Sequence, residues 1–199
     1  QREAQEAQSK LRRMERAGLR RRHINCTLDN YSAVTGGQQK ALGKAREFLS
    51  SMLNGKGGNL VLAGRVGTGK THLAAAIVSA LVDRDKSAEL IKMPELIREI
   101  NHSWSRDSES NESAIIAHYS TVGLLVLDEV GVQFGSDTEK LLISEIIDNR
   151  YQEMLSTVLI SNLDLAGIRK SIGERCYDRL REDGGQVVAF DWDSARGAA

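Results

Sequence analysis

A three-layer α/β fold, a parallel sheet covered by helices on both faces, is what this chain of 199 residues predicts. Three observations lead there. Short apolar runs recur at 60–63, 89–93, 122–127, 157–160 and 187–190. Segments with helical apolar spacing separate them. Most of the runs are apolar at successive positions, the pattern of strands buried on both faces of a parallel sheet.

The elements follow in chain order. Residues 1–18 form a helical pattern, with Ala4, Ala7, Leu11, Met14 and Gly18 alternating between spacings of three and four. Small residues fill half of this seam, so a solvated linker helix is expected rather than a coiled coil, and Gly18 ends it. Arg12, Arg13 and Arg16, then Arg20, Arg21 and Arg22, make the densest positive run. It could touch phosphates or be a solvated hinge. Over 37–52, Ala41, Ala45, Phe48, Leu49 and Met52 keep helical spacing. The glycines of GKGG (55–58) then turn the chain into the first strand, 60–63. An apolar helix runs from about Lys70 to Val82, and 89–93 is the second strand. Pro94 opens a helix to about Ser103. SRDSESNES (105–113) is too polar to pack and reads as a loop before the third strand at 122–127. A long helix over 138–154 turns Leu141, Leu142, Ile146, Ile147 and Tyr151 inward. The fourth strand at 157–160, a helix over 173–181 and the fifth strand at 187–190 complete the pattern. There is no internal repeat. Because the chain opens on Gln1 inside a helical pattern, it is expected to be a fragment: 1–22 as linker helix and basic hinge, 23–199 as one domain.

Composition narrows the function classes. Apolar residues are 41% and charged residues 27%, as in a soluble globular domain. Lys+Arg and Asp+Glu balance at 27 each, so net charge names no partner and any nucleic-acid surface must be local. Cys26 and Cys176 are too few for a disulfide framework, and His23, His72, His102 and His118 show no ligand spacing. No apolar run approaches the ~20 residues of a membrane span, and the charged N-terminus is unlike a signal peptide. A cytoplasmic protein is expected.

Four segments carry chemistry. GRVGTGKT (64–71) fits the phosphate-loop pattern and stands between a strand and a helix, the context the pattern needs. Gly64, Gly67 and Gly69 let the backbone wrap closely, with Arg65, Val66 and Thr68 between them, so that N–H groups face phosphate oxygens. The following helix start, Lys70, Thr71 and His72, adds positive potential. Lys70 would reach the β- and γ-phosphates and Thr71 would coordinate Mg²⁺. LLVLDEVG (124–131) puts Asp128 and Glu129 at the carboxyl edge of a strand. Asp128 would hold the Mg²⁺ shell and Glu129 would polarise the attacking water, so hydrolysis is favoured over transfer to a hydroxyl acceptor. VLISN (158–162) ends in Asn162, either a γ-phosphate sensor or an ordinary turn residue. In GERCYDRLRE (173–182), Arg175 and Arg179 lie four apart on one helix face, as a finger toward a neighbouring subunit or as a solvated face.

Taken in this order, the phosphate loop, the Asp-Glu strand, the polar sensor strand and the late arginines resemble an AAA+ ATPase. RHINCTLDNY (22–31), LLVLDEVGVQ (124–133), EKLLISEIIDNRY (139–151), GERCYDRL (173–180) and FDWDSAR (190–196) narrow the resemblance to the bacterial and phage DnaC-type replicative helicase loaders. It spans roughly 11–196, and DnaI-type loaders and IstB-type ATPases share much of it.

The resemblance implies a five-stranded sheet in the order 5-1-4-3-2, ATP/ADP and Mg²⁺ as ligands, and a helical or open-ring homo-oligomer around single-stranded DNA. It gives Lys70 and Thr71 the Walker A roles, Asp128 and Glu129 the Walker B roles, and Asn162 the sensor-1 role. Arg179, with Arg175 beside it, matches the finger, and Arg196 matches a sensor-2 arginine. The segment from Gly131 to the helix near Thr138 matches a DNA-facing insert, with Phe134, Ser136, Thr138 and Lys140 as candidates. Trp104 is a possible stacking platform or a half-buried packing residue. The family engages a DnaB-type helicase through an N-terminal domain, absent from this chain, and the nine residues after Phe190 leave space only for a minimal or absent lid. The activity implied is ATP-dependent loading of the replicative helicase onto single-stranded DNA. The alternatives are an IstB-type transposition helper acting on duplex DNA and a low-turnover nucleotide-gated DNA-binding switch.

Overall fold

The structure, a computed structural model, describes residues 2–105, 111–131 and 137–194. Eight helices and five strands follow one another among them: α1 (Arg2–Arg16), α2 (Gly36–Leu53), β1 (Leu60–Gly64), α3 (Lys70–Val82), β2 (Ala88–Lys92), α4 (Met93–Ser103), α5 (Glu112–Thr121), β3 (Leu124–Asp128), α6 (Asp137–Gln152), β4 (Ser156–Ser161), α7 (Leu165–Ile172), α8 (Glu174–Arg181) and β5 (Gln186–Phe190). The strands form one sheet in the order β2-β3-β4-β1-β5, every neighbouring pair parallel. Read from the other edge this is 5-1-4-3-2, as the resemblance implies.

Alternation along the strands builds the two covering layers. Leu60, Leu62, Leu124, Val126, Val158 and Ile160 face one side, where they pack with α2, α3 and the end of α1. Val61, Ala63, Leu125, Leu127 and Leu159 face the other, against α4 to α8. Each such Leu or Ile contributes about 1.5–3 kcal/mol by leaving water. Helix α3 is buried almost all round, and Ala74, Ala75 and Ala76 let it lie close to the sheet. The opposing layer carries the arginine at the heart of the fold. Arg150 on α6 is 0% exposed. Its guanidinium donates from Nε to Thr157 Oγ1 (3.0 Å), from Nη1 to the carbonyls of Tyr119 (2.8 Å) and Val122 (2.7 Å), and from Nη2 to the carbonyl of Ser156. Burial pulls its pKa down to about 10, so it remains a cation at neutral pH.

The structure corrects three expectations. Helix α1 is not a solvated linker throughout. Met14, Ala17 and Leu19 are buried in the core, and the N–H of Leu90 on β2 donates to the carbonyl of Ala17 at 2.9 Å. Lys10 pairs with Asp83 and Arg13 with Asp85 beyond the end of α3. Gly18 does end the helix, at φ 77°, where a Cβ would stand 1.8 Å from the carbonyl oxygen of Leu90. Helices α5 and α7 occupy stretches the sequence left as connections; Asn111 and Asp164 cap them by accepting from the N–H groups of Ser113 and Gly167. On α6, Leu141 is 70% exposed and Ile143 is buried instead, alongside Leu142, Ile146 and Ile147. Burial at 142, 143, 146, 147 and 150 is a tighter stripe than the one expected, with its centre rotated away from Leu141.

Candidate nucleotide site

The carboxyl ends of β1, β3 and β4 meet at one cavity of about 440 Å³. It is lined by Val66 to His72 of the phosphate loop and α3, by Asp128 and Glu129, by Ile160 and Asn162, and by Arg22, His23 and Cys26 from the segment before α2. The expected loop residues are therefore together, with Gly64 and Arg65 at the strand exit. Gly64, Gly67 and Gly69 all adopt positive φ (129°, 79° and 94°), and Gly69 stands at the N-cap of α3 with no side chain to block the helix start. Lys70 is buried; its ammonium donates to the carbonyls of Gly64 (2.7 Å) and Arg65 (2.6 Å), at the centre of the loop.

The acidic pair is built at the end of β3. Asp128 is buried, and its Oδ2 accepts from the Thr71 hydroxyl at 3.0 Å while its Oδ1 accepts from the N–H of Glu129 at 2.7 Å. Burial pushes the Asp128 pKa up, against the two hydrogen bonds and Lys92, which lower it; the Glu129 charge adds to the rise. Glu129 takes the left-handed conformation (φ 60°), which turns it sharply off the sheet edge. Its Oε1 accepts from Lys92 Nζ at 2.6 Å. Asn162, just past β4, is exposed and faces the same cavity.

A hydroxyl and a buried carboxylate in contact, beside a loop of helix-start N–H groups, are the donor set a phosphate-bound Mg²⁺ needs. The residues present fit both a nucleotide and its metal.

Sequence reasoning missed Lys92, which pairs in register with Asp128. With β2 beside β3 in the implied strand order, a lysine ending β2 was the available signal. It also missed His23 as a cavity residue, whereas Arg22, from the positive run left open between phosphate contact and solvated hinge, lines the cavity. Burial lowers the His23 pKa, the Asp128 charge opposes that, and Arg22, Lys92 and His72 reinforce it. His72 itself lies within 3.0 Å of the Thr27 carbonyl and edge-on to Tyr31.

Other predicted residues lie elsewhere. Arg175 and Arg179 on α8 do not line the cavity; both pair with Asp148 on α6. The Arg179 side chain is 14% exposed and lies over the Tyr151 ring, whereas that of Arg175 is 74% exposed. Trp104 ends α4, 53% exposed, its indole N–H donating to Glu112. Lys140 is exposed on α6, and Thr138 belongs to the first turn of that helix. Phe134, Ser136 and Arg196 lie outside the described residues.

With the geometry in place, comparison with known proteins decides the family. The profile of the family described as IstB-like ATP binding protein matches residues 2–179. The chain is 37% identical over 185 residues, 93% of its length, to the replicative helicase loader DnaC of Escherichia coli (strain K12), covering 75% of that protein. The chain belongs to the IstB-like ATP-binding family. Among solved structures, the DnaC helicase loader superposes with a TM-score of 0.75 at 26% identity, over 86% of this chain and 99% of that one. DnaI gives 0.73 at 25% identity, over 89% and 94%. This IstB-like domain is thus an AAA+ ATPase domain of the DnaC type, and the phosphate loop, acidic strand end and sheet order all agree with that assignment. No helix among the described residues is long and apolar enough to cross a membrane.

Proposed function

We propose that this chain is the ATP-driven core of a replicative helicase loader, acting as a homo-oligomer on single-stranded DNA and engaging a DnaB-type helicase through a domain N-terminal to α1. The observation that carries the reading is the meeting of Lys70, Thr71, Asp128 and Glu129 at one cavity, in a chain 37% identical to the E. coli loader.

The residues divide the chemistry. Lys70 and the loop N–H groups hold the β- and γ-phosphates of ATP. Thr71 and Asp128 hold Mg²⁺, which when bound offsets the negative charge of the phosphate oxygens. Glu129 orients the attacking water and draws its proton, with Lys92 paired at Oε1 of the same carboxylate. Asn162 helps fix the water against the γ-phosphate. An arginine of α8 reaches the neighbouring subunit's site. Arg175 and Arg179 both pair with Asp148, but Arg175 is the more exposed side chain, while Arg179 also lies over the Tyr151 ring. Trp104, Thr138 and Lys140 are candidates for contacting DNA along the oligomer's inner face.

Loading assays test the proposal. Lys70→Ala in the full-length protein should abolish nucleotide binding and helicase loading; retention of both would remove the site assignment. Mixing Lys70→Ala subunits with Arg175→Ala or Arg179→Ala subunits identifies the finger by which mixture recovers ATPase activity. A second reading has its own support, since the matching family profile is IstB-like. A helper of that kind would prefer duplex over single-stranded DNA at matched salt.

A further inference from the structure

Two side chains from opposite ends of the chain converge on one carbonyl of the phosphate loop. The Tyr31 hydroxyl donates to the carbonyl oxygen of Thr68 at 3.2 Å, and the Trp192 indole N–H donates to the same oxygen at 3.1 Å. Tyr31 precedes α2, and Trp192 follows β5. Both are held for this task. The Trp192 ring lies between Gly37, where a Cβ would stand 3.1 Å from it, and Phe190, whose ring centroid is 4.7 Å away. Tyr31 packs so closely under Gly69 that a Cβ there would be 2.6 Å from its ring. Burial raises its pKa to about 12, so the phenol stays a donor across the physiological range. The segment carrying Trp192 also ties to the loop through Asp193, paired with Arg65 at 2.9 Å.

A carbonyl oxygen has two lone pairs, and here both are engaged. The peptide linking Thr68 to Gly69 is planar and trans, so its N–H points away from its C=O. Holding the carbonyl on the side of Tyr31 and Trp192 therefore holds the Gly69 N–H on the opposite side. Gly69 is the residue at which that peptide could most easily flip, because it has no Cβ to resist either orientation.

We propose that Tyr31 and Trp192 are positioning residues that clamp the Thr68–Gly69 peptide with its N–H presented to the phosphates. This rests on the nucleotide-binding reading of the cavity. Neither residue touches the reacting atoms. Their effect is on how much of the population has the loop ready to bind, which lowers apparent affinity in proportion when it falls. The effect belongs to the phosphates and not to the base.

The test uses Tyr31→Phe and Trp192→Phe, which remove one donor each and keep an aromatic ring. Affinity for Mg²⁺ with a fluorescent ADP is measured by titration, and affinity for pyrophosphate by displacement of that probe. The expected result is an equal loss for both ligands in each variant, up to about 10-fold, the full worth of one hydrogen bond, seen in affinity and not in kcat at saturating ATP. Circular dichroism confirms that each variant is folded; if one does not fold, the other carries the test, since each supplies a separate bond to the same oxygen. Unchanged affinity in a folded variant overturns the proposal. So does a loss for ADP with none for pyrophosphate, which would place Tyr31 or Trp192 on the base. A parent chain that binds no MgADP would overturn the nucleotide reading itself, and this inference with it.

Discussion

Arg150 offers the sharpest test of the fold that holds the site. Replacing it with Leu keeps an apolar side chain on α6, shorter than the arginine stem, and removes the guanidinium. Three backbone carbonyls, of Tyr119, Val122 and Ser156, and the Thr157 hydroxyl then lose a donor inside the protein. Two of those carbonyls belong to the C-terminal end of α5, where a helix has no partners of its own for its last acceptors. Each orphaned acceptor costs about 1 kcal/mol or more, so losing the donor to all four costs about 3–5 kcal/mol in all. That is a large share of the 5–15 kcal/mol typical of folded domains. At about 2–4 °C per kcal/mol for a chain of this size, the melting temperature should fall by about 6–20 °C. Arg150→Lys keeps the charge but brings its three donors on one nitrogen, without the planar fork, and should fall in between. Urea denaturation of both variants gives the free energies. A Leu variant within about 1 kcal/mol of the parent would refute the view that Arg150 fastens α5 and β4 together.

Further outcomes concern the site. Glu129→Gln should retain MgATP binding while turnover falls at least about 100-fold, the loss of a general base; a turnover near that of the parent would move the base elsewhere. Thr71→Ala should make nucleotide affinity nearly indifferent to chelation of Mg²⁺, measured by titration with and without EDTA. Lys92→Met should raise unstimulated turnover by up to about fivefold, because Oε1 of Glu129 is released to the water from a half-exposed ion pair worth about 1 kcal/mol or less; a fall would make Lys92 an aid to hydrolysis. His23, whose pKa is lowered by burial, binds its proton later than in the unfolded chain as pH drops. Stability should therefore decline as pH falls below about 6.5, and melts at pH 7.5 and 5.5 should show His23→Gln losing part of that decline.

The five strands were legible because a strand buried on both faces must be apolar at successive positions, and β1, β3 and β4 are buried at nearly every residue; their order came from the family resemblance, since apolar runs do not say which strands are neighbours. The phosphate loop, Asp128 and Glu129 were legible because they are contiguous in sequence with those strands. Helix α5 was not. It follows a polar run and buries only Ile116, Tyr119 and Ser120, so its stripe is too thin to show. Helix α7 is eight residues long and buries Ile168 and Ile172, which one turn of any loop could also supply. At α6 three consecutive apolar residues, Leu141 to Ile143, cannot all face inward, and only packing chooses among them. Lys92, His23, Tyr31 and Trp192 reach the site through tertiary placement: strand register for Lys92, and segments that cross the sheet's carboxyl edge for the others.

The anchoring of α1 gives the molecule a lever. Its last turn is set in the core by Met14 and Ala17, while Lys10 and Arg13 brace it against the residues beyond α3, the helix that begins at the phosphate loop. Fifteen helical residues span about 22 Å, so a tilt of about 10° at the seat carries the far end about 4 Å. Any shift of α3 that accompanies a change of phosphate state is thereby amplified outward along a stiff arm. A spectroscopic label on the exposed Gln8 would read the angle of that arm directly.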